Sequence, residues 1–142
     1  MQECDFCAIG AGEAPAIVVW EDEENLAFFP RRPAVVGHTL IIPKQHYDDL
    51  FELPDPAVAS LTQAVARVGR GLRRALSPDG MNLINSTGKA ATQSVFHVHM
   101  HLVPRWTGDR FGDIWPPSEP WAGEVKAEVA DMVRQELNPS RP

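Results

Sequence analysis

The sequence predicts an α+β domain: a mainly antiparallel sheet of about five strands with one long and one short helix. Two patterns indicate this class. Several short β-prone runs are separated by turn residues, and one long stretch repeats apolar residues at every third or fourth position. The chain has 142 residues, which suits one well-buried core and is too short for two. We therefore expect a single domain over residues 1–142, with residues 106–142 as a C-terminal extension.

Three strands are predicted in the first third of the chain. Residues 17–21 and 26–29 are β-prone and flank an acidic turn, which is the pattern of a hairpin. Gly37 precedes the third strand, residues 38–42, and Pro43 ends it.

A long amphipathic helix follows. Asp55 and Pro56 predict its start, because a capping carboxylate followed by proline at the first helical position favours a helix N-terminus. The apolar residues that define one face are Val58, Leu61, Val65, Val68, Leu72 and Leu76. The Ser-Pro-Asp-Gly sequence at residues 77–80 predicts the end of the helix.

The second half of the chain completes the sheet. Residues 81–85 predict a strand, residues 86–94 a polar loop, and residues 95–103 a strand of alternating character. A shorter helix is predicted over residues 123–137. These elements give one helix that covers one face of a mostly antiparallel sheet.

Charge and composition exclude several classes of protein. The net charge is -6 and no basic run occurs, so we expect neither a nucleic acid nor a membrane surface as partner. Two cysteines are too few for a disulfide scaffold, and no apolar stretch approaches the roughly 18 residues of a membrane span. Residues 1–3 do not begin a signal peptide pattern. We therefore expect a soluble, cytoplasmic protein, to which a small phosphate-bearing ligand can still bind.

The most informative segment contains His97, His99 and His101. Alternate side chains of a strand share a face, so these three imidazoles are expected about 6.6 Å apart, while the intervening apolar residues face the core. A lone histidine is usually a surface or core residue, and a cluster can also bind a metal. Three histidines at strict alternation favour a functional site.

This segment resembles the histidine triad (HIT) family of nucleotide hydrolases and transferases. It reads FHVHMHLVPR at residues 96–105, and GHTLIIPKQH at residues 37–46 is similar to the family's GHTLVIPKxH block. Residues 4–16 resemble the N-terminal block, so the match extends from about residue 4 to 105. The resemblance implies a HIT-like sheet-plus-helix fold, a nucleotide substrate and a homodimer whose two sheets join.

The resemblance also implies roles for individual residues. His99 matches the middle histidine, which attacks the α-phosphorus and forms a covalent nucleotidyl intermediate. Such an attack needs a neutral imidazole whose other ring nitrogen is held by an acceptor. His101 would contact the phosphate or the leaving group. His38 either joins the cluster from the neighbouring strand or is a packed strand histidine. The implied substrate-contacting positions are Ser86, Gln93 and Ser94.

Cys4 and Cys7 indicate a second site. Their Cys-x2-Cys spacing lets two thiolates reach one tetrahedral ion, and two nitrogen ligands would complete a zinc site. His46 and His97 are the candidates, as in HIT proteins with this cysteine pair. A redox pair and two free thiols are the alternatives, but the sequence context of a thioredoxin-like motif is absent. We therefore expect a structural Zn²⁺.

Two positions depart from the family pattern. Family members commonly carry an Asp after the second strand that binds the ribose hydroxyls, and Pro30 stands there instead. Arg31, which follows, either contacts a ligand or is solvated. Ser86 occupies a position where Asn or Gln is more common.

These residues support one leading hypothesis and two alternatives. The leading one is a hydrolase of nucleoside phosphoramidates or related nucleoside monophosphate esters. A nucleotidyltransferase or a dinucleoside polyphosphate hydrolase is the alternative within the family. A non-catalytic, zinc-stabilised nucleotide-binding module is the alternative of another class. Trp115 and Trp121 either cover the active site, of this chain or of a dimer partner, or belong to a tail packed on the surface.

Overall fold

The structure, a computed structural model, describes residues 3–139, which form two compact units that divide between Gly112 and Asp113. The first unit contains a five-stranded antiparallel sheet with the strand order β1-β2-β3-β5-β4. The strands are β1 (Val18–Glu21), β2 (Asn25–Phe28), β3 (Thr39–Pro43), β4 (Gly80–Ile84) and β5 (Met100–Arg105). Its helices are α1 (Asp5–Gly10) and α2 (Asp55–Leu76), with single 3-10 turns at Leu50–Glu52 and Lys89–Ala91. The predicted fold class is confirmed.

The β1–β2 hairpin forms where the acidic turn predicted it. The Asp22 carboxylate accepts hydrogen bonds from the backbone N–H groups of Glu24 and Asn25, at 2.9 and 2.7 Å. An Asp side chain that bonds its own backbone two or three residues on favours such a turn. Strand β2 then pairs with β3, with Leu26 opposite Ile42.

Helix α2 covers one face of the sheet. Its buried residues are Leu61, Ala64, Val65, Val68 and Leu72, and they pack against Ala27, Ile41, Met100 and Leu102 of the strands. The predicted start is wrong in one respect: Pro54 is the N-cap, and the Asp55 side chain makes no capping hydrogen bond. Asp55 lies in the first turn, where its charge still interacts favourably with the helix dipole.

The predicted strand over residues 95–103 is shorter at its start than expected. Strand β5 begins only at Met100 and continues to Arg105. Before it, the backbone N–H of Val98 donates to the Tyr47 carbonyl, and the His97 ring bonds the Pro43 carbonyl, so the polar groups are satisfied outside the ladder. The alternation survives nevertheless, since Val98 still packs in the core beneath α2.

The opposite face of the sheet is partly covered by α1, which the sequence analysis missed. Phe6 and Ile9 of this helix pack with Leu26, Phe28, Leu40 and Ile42. A helix of six residues is too short to show a periodic pattern. The Cys4 thiol caps it by accepting from the backbone N–H of Cys7 at 3.3 Å.

The second unit contains α3 (Gly123–Leu137), with the predicted bounds. Within residues 3–139, none of the helices combines the length and the hydropathy needed to cross a bilayer.

Candidate active site and zinc site

A cleft of about 810 Å³ opens on the face of the sheet opposite α2. All three predicted catalytic residues, His38, His99 and His101, line it together with Ser94. Strand pairing explains this convergence, because Leu40 of β3 lies opposite His101 of β5, and His38 is two residues before Leu40. The structure therefore brings together side chains that are 63 residues apart in the chain.

The His99 ring is held in one tautomer by the backbone. Its Nδ1 lies 2.7 Å from the His97 carbonyl oxygen, which can only accept, so Nδ1 carries the proton. Nε2 is then an unprotonated nitrogen in a residue that lines the cleft. Burial lowers the pKa of His99 below its usual 6.5, although the bond to the His97 carbonyl opposes this shift. A neutral imidazole with a free Nε2 is what a nucleophile requires.

Hydrogen bonds from Ala34 to His38 and from His38 to His101 determine which nitrogen of each of these two rings carries the proton. The Ala34 N–H donates to His38 Nδ1 at 3.0 Å, so the neutral His38 ring carries its proton on Nε2. That Nε2 donates to His101 Nδ1 at 2.9 Å, and the His101 proton therefore lies on Nε2. Burial, followed by the nearby His99 and His38 charges, lowers the pKa of His101 to about 4. His101 thus presents a neutral N–H donor beside His99, with the two ring centroids 4.9 Å apart.

The three predicted substrate-contacting residues have different environments. Ser94 lines the cleft, whereas Gln93 and Ser86 are not among its lining residues. The Gln93 amide holds the loop: its oxygen accepts from Gly88 N at 2.8 Å, and its nitrogen donates to the Asp48 and Val95 carbonyls. Ser86 is half-buried and follows Asn85, whose side chain donates to the His99 carbonyl at 3.0 Å.

Four side chains from three distant segments meet beside this cleft. The ligand atoms of Cys4, Cys7, His46 and His97 all lie within 4.8 Å of one another. The distances from Cys7 Sγ to the Nδ1 atoms of His46 and His97 are 3.3 and 3.5 Å, and Cys4 Sγ lies 3.4 Å from His97 Nδ1. Zinc bonds of about 2.0–2.3 Å give tetrahedral edges of roughly 3.5 Å. The donor set and its spacing fit Zn²⁺.

Both imidazoles of this set are oriented by a second hydrogen bond. His46 Nε2 lies 2.9 Å from an Asp48 carboxylate oxygen, and His97 Nε2 lies 2.8 Å from the Pro43 carbonyl oxygen. Such partners fix the tautomer in which Nδ1 is free to bind the metal. Asp48 and Pro43 were not predicted from the sequence, because their roles depend on contacts that spacing does not reveal.

His97 connects the two sites. Its ring belongs to the zinc ligand set, while its backbone carbonyl accepts from His99 Nδ1. Phe6 reinforces the connection, since its ring packs edge-on against His99 with centroids 5.2 Å apart. The position of the metal ligand therefore determines where the acceptor for His99 lies.

The profile of the HIT domain matches residues 11–108. The chain is 43% identical over 115 residues to Protein hit of Bacillus subtilis, covering 80% of this chain and 79% of that protein. It is 39% identical over 103 residues to adenylylsulfatase HINT3 of Arabidopsis thaliana, covering 72% of this chain and 52% of that protein.

Solved structures agree with this relationship. A HIT family member from Bacillus subtilis is similar at a TM-score of 0.89 and 37% identity, covering 98% of this chain and 100% of that chain. A zinc-bound histidine triad family protein from Mycobacterium smegmatis is similar at a TM-score of 0.73 and 42% identity, covering 92% and 95%. Together with the donor geometry, this similarity supports a structural zinc site at Cys4, Cys7, His46 and His97. The chain belongs to the HIT family of nucleotide-binding hydrolases and transferases.

Proposed function

We propose that the protein is a nucleotide hydrolase that acts at the α-phosphorus of nucleoside phosphoramidates or related nucleoside monophosphate esters. The observation that carries this proposal is the hydrogen bond from His99 Nδ1 to the His97 carbonyl, which leaves Nε2 unprotonated in the cleft. In-line attack on phosphorus needs a nucleophile of this kind and a hydrogen-bond donor that stabilises the leaving group. His101 Nε2 is the proposed donor.

The proposed reaction has two steps. In the first, the lone pair of His99 Nε2 forms a bond to the α-phosphorus, and the bond from phosphorus to the leaving group breaks. His101 Nε2 donates a hydrogen bond to the leaving group, which takes up a proton from solvent as it departs. In the second, a water molecule attacks the phosphorus, releases its proton to solvent, and breaks the phosphorus–His99 bond. The products are the nucleoside monophosphate and the protonated leaving group.

The cleft offers a matching environment for the rest of a nucleotide. Phe6, Phe28 and Phe29 contribute apolar surface, which suits a nucleobase. We propose that Ser94 donates to a phosphate oxygen, as its place in the cleft allows. Gln93 and Ser86 are proposed to assist substrate binding through the loop that carries them, which Gln93 ties to Asp48.

A direct test follows AMP release from adenosine 5′-phosphoramidate by the purified protein. We expect turnover by the native chain and a loss of about 10³-fold or more in His99→Ala. The variant is compared with the native chain in zinc content and thermal stability, so that misfolding is separated from lost chemistry. Full activity of a folded His99→Ala protein, or no turnover by the native chain, would reject the hydrolase.

The similarity to a relative named adenylylsulfatase favours adenylyl sulfate as a second substrate to test. Its reaction also breaks a bond at the α-phosphorus, so the same His99 and His101 atoms would serve. Adding a phosphate or sugar acceptor tests the transferase alternative: product that forms only with the acceptor present would favour transfer over hydrolysis.

We also propose that the protein is a cytoplasmic homodimer. Strand β4 is an edge of the sheet, and Leu83 on it is 54% exposed, so its free side can pair with a second copy. A pair of zinc-binding thiolates is typical of a reducing compartment. Light scattering after size-exclusion chromatography tests the dimer, and the mass of a single chain would contradict it.

A further inference from the structure

Two arginines, Arg31 and Arg32, follow strand β2 and line the same cleft as the histidines. Both side chains are exposed. Over residues 3–139, neither guanidinium has an ion pair or a hydrogen bond with another residue. These two side chains place positive charge in the cleft, although the net charge of the whole chain is -6.

The local charge balance of the cleft favours an anion. His38 accepts a hydrogen bond from the Ala34 N–H, and His101 accepts one from His38, so neither ring carries a proton on both nitrogens. Asp5 is the one carboxylate among its lining residues, so Arg31 and Arg32 leave the cleft with a surplus of positive charge. Guanidinium groups present a planar fork of N–H donors that matches phosphate oxygens in pairs.

The position of Arg31 adds a second observation. A smaller cleft of about 530 Å³ adjoins the first, and Arg31 and His38 line both. Pro30, also common to both clefts, has no side-chain donor or acceptor and cannot accept hydrogen bonds from ribose hydroxyls. The junction of the clefts therefore presents the Arg31 cation next to the position where the ribose-binding carboxylate of the family pattern is absent.

We propose that Arg31 and Arg32 select nucleotides that carry a second phosphate group besides the one that His99 attacks. This inference rests on the proposed function, because it takes the cleft to bind a nucleotide. The second phosphate can be attached to the ribose or follow the first in a phosphate chain. Both sources present the same group to the two guanidinium forks.

The test measures binding to the His99→Ala protein, which removes the proposed chemistry while the two arginines remain. Isothermal titration calorimetry compares AMP, ADP and adenosine 3′,5′-bisphosphate. We expect at least one of the two-phosphate ligands to bind about tenfold or more tightly than AMP. The ligand that shows the preference identifies where the second phosphate lies.

Arginine variants then assign the preference. With both Arg31→Gln and Arg32→Gln introduced, the affinity for the preferred two-phosphate ligand, divided by the affinity for AMP, should fall to about one. Arg70→Gln is the matched control, because Arg70 is an exposed arginine on α2, across the sheet from the cleft, and it should leave the ratio unchanged. Equal binding of all three ligands, or a preference that persists without the two arginines, overturns this inference alone. No binding of any nucleotide overturns both this inference and the proposed function.

Discussion

At the residue scale, the site depends on where three imidazole protons lie. The His97 carbonyl places one proton on His99 Nδ1, and the Ala34 N–H places the His38 proton on Nε2. The His38 donor in turn leaves the proton of His101 on Nε2. The assignments for His99 and His38 follow from backbone groups that can only accept or only donate, and the assignment for His101 follows from that of His38.

His38 acts through His101 and is therefore a positioning residue. We expect His38→Phe to lower kcat by about 10- to 100-fold with little change in KM, because the His101 tautomer is no longer fixed. His38→Gln retains a side-chain N–H donor and should recover part of the loss. Steady-state kinetics of both variants on adenosine 5′-phosphoramidate check this, and full kcat in His38→Phe would contradict it.

The lowered pKa of His101 predicts how stability depends on pH. An unfolded histidine has a pKa of about 6.5, whereas burial lowers that of folded His101 to about 4, so the unfolded chain binds more protons between these values. The contribution of neutral His101 to the free energy of unfolding is complete above pH 6.5. It is lost as the pH falls towards 4, by at most about 1.4 kcal/mol per pH unit.

Urea unfolding at pH 7 and pH 5 measures this effect. The His101→Gln variant is the control, because it keeps all four zinc ligands and so shares any loss due to the metal site. We expect the free energy of unfolding to fall less between the two pH values in His101→Gln than in the native chain. Equal falls would show that His101 titrates normally.

At the scale of elements, periodicity predicted most of the fold. The apolar spacing of α2 and the acidic turn between β1 and β2 are local signals, and the structure has both elements within a few residues of the predicted bounds. Strand β5 was predicted five residues too early because alternation records only which face a side chain takes. The residues just before Met100 make their hydrogen bonds to Pro43 and Tyr47, outside the strand ladder.

Two glycines should respond in opposite ways to alanine. Gly37 precedes β3 at φ 84°, and an added Cβ would collide with Leu76, so we expect Gly37→Ala to destabilise the fold by about 1–3 kcal/mol. Gly71 lies inside α2 with open space around it, and Gly71→Ala should stabilise by about 0.5–1 kcal/mol. Chemical denaturation measures both, and a stabilising Gly37→Ala would contradict the described turn.

At the scale of the whole molecule, the zinc ligands join the start of the chain to the sheet and to the catalytic loop. Cys4 is the N-cap of α1 and Cys7 lies within that helix, while His46 follows β3 and His97 precedes β5. The sequence predicted this ligand set, because the residue types and the family resemblance are visible in it. It could not reveal that the Gln93 amide is engaged in its own loop, or that Arg31 lines two clefts, because both depend on tertiary packing.

Loss of the metal should therefore weaken both the fold and the chemistry. We expect Cys4→Ser, or removal of zinc by a chelator, to lower Tm by about 5–10 °C, because the N-terminal segment is released from the sheet. Thermal unfolding with parallel metal analysis measures this. Re-addition of zinc should restore the Tm of the chelator-treated native chain but should not raise the Tm of Cys4→Ser to the native value. An unchanged Tm after verified metal removal would show that the cluster has no structural role.

The central claim is that His99 Nε2 forms a bond to phosphorus during turnover. The most direct measurement mixes the protein with adenosine 5′-phosphoramidate, quenches within one turnover and locates any adduct by tandem mass spectrometry. We predict one adenylyl group, attached to His99 and absent from the His99→Ala protein. An adenylyl group on another residue, or AMP release that continues in folded His99→Ala, would contradict the account.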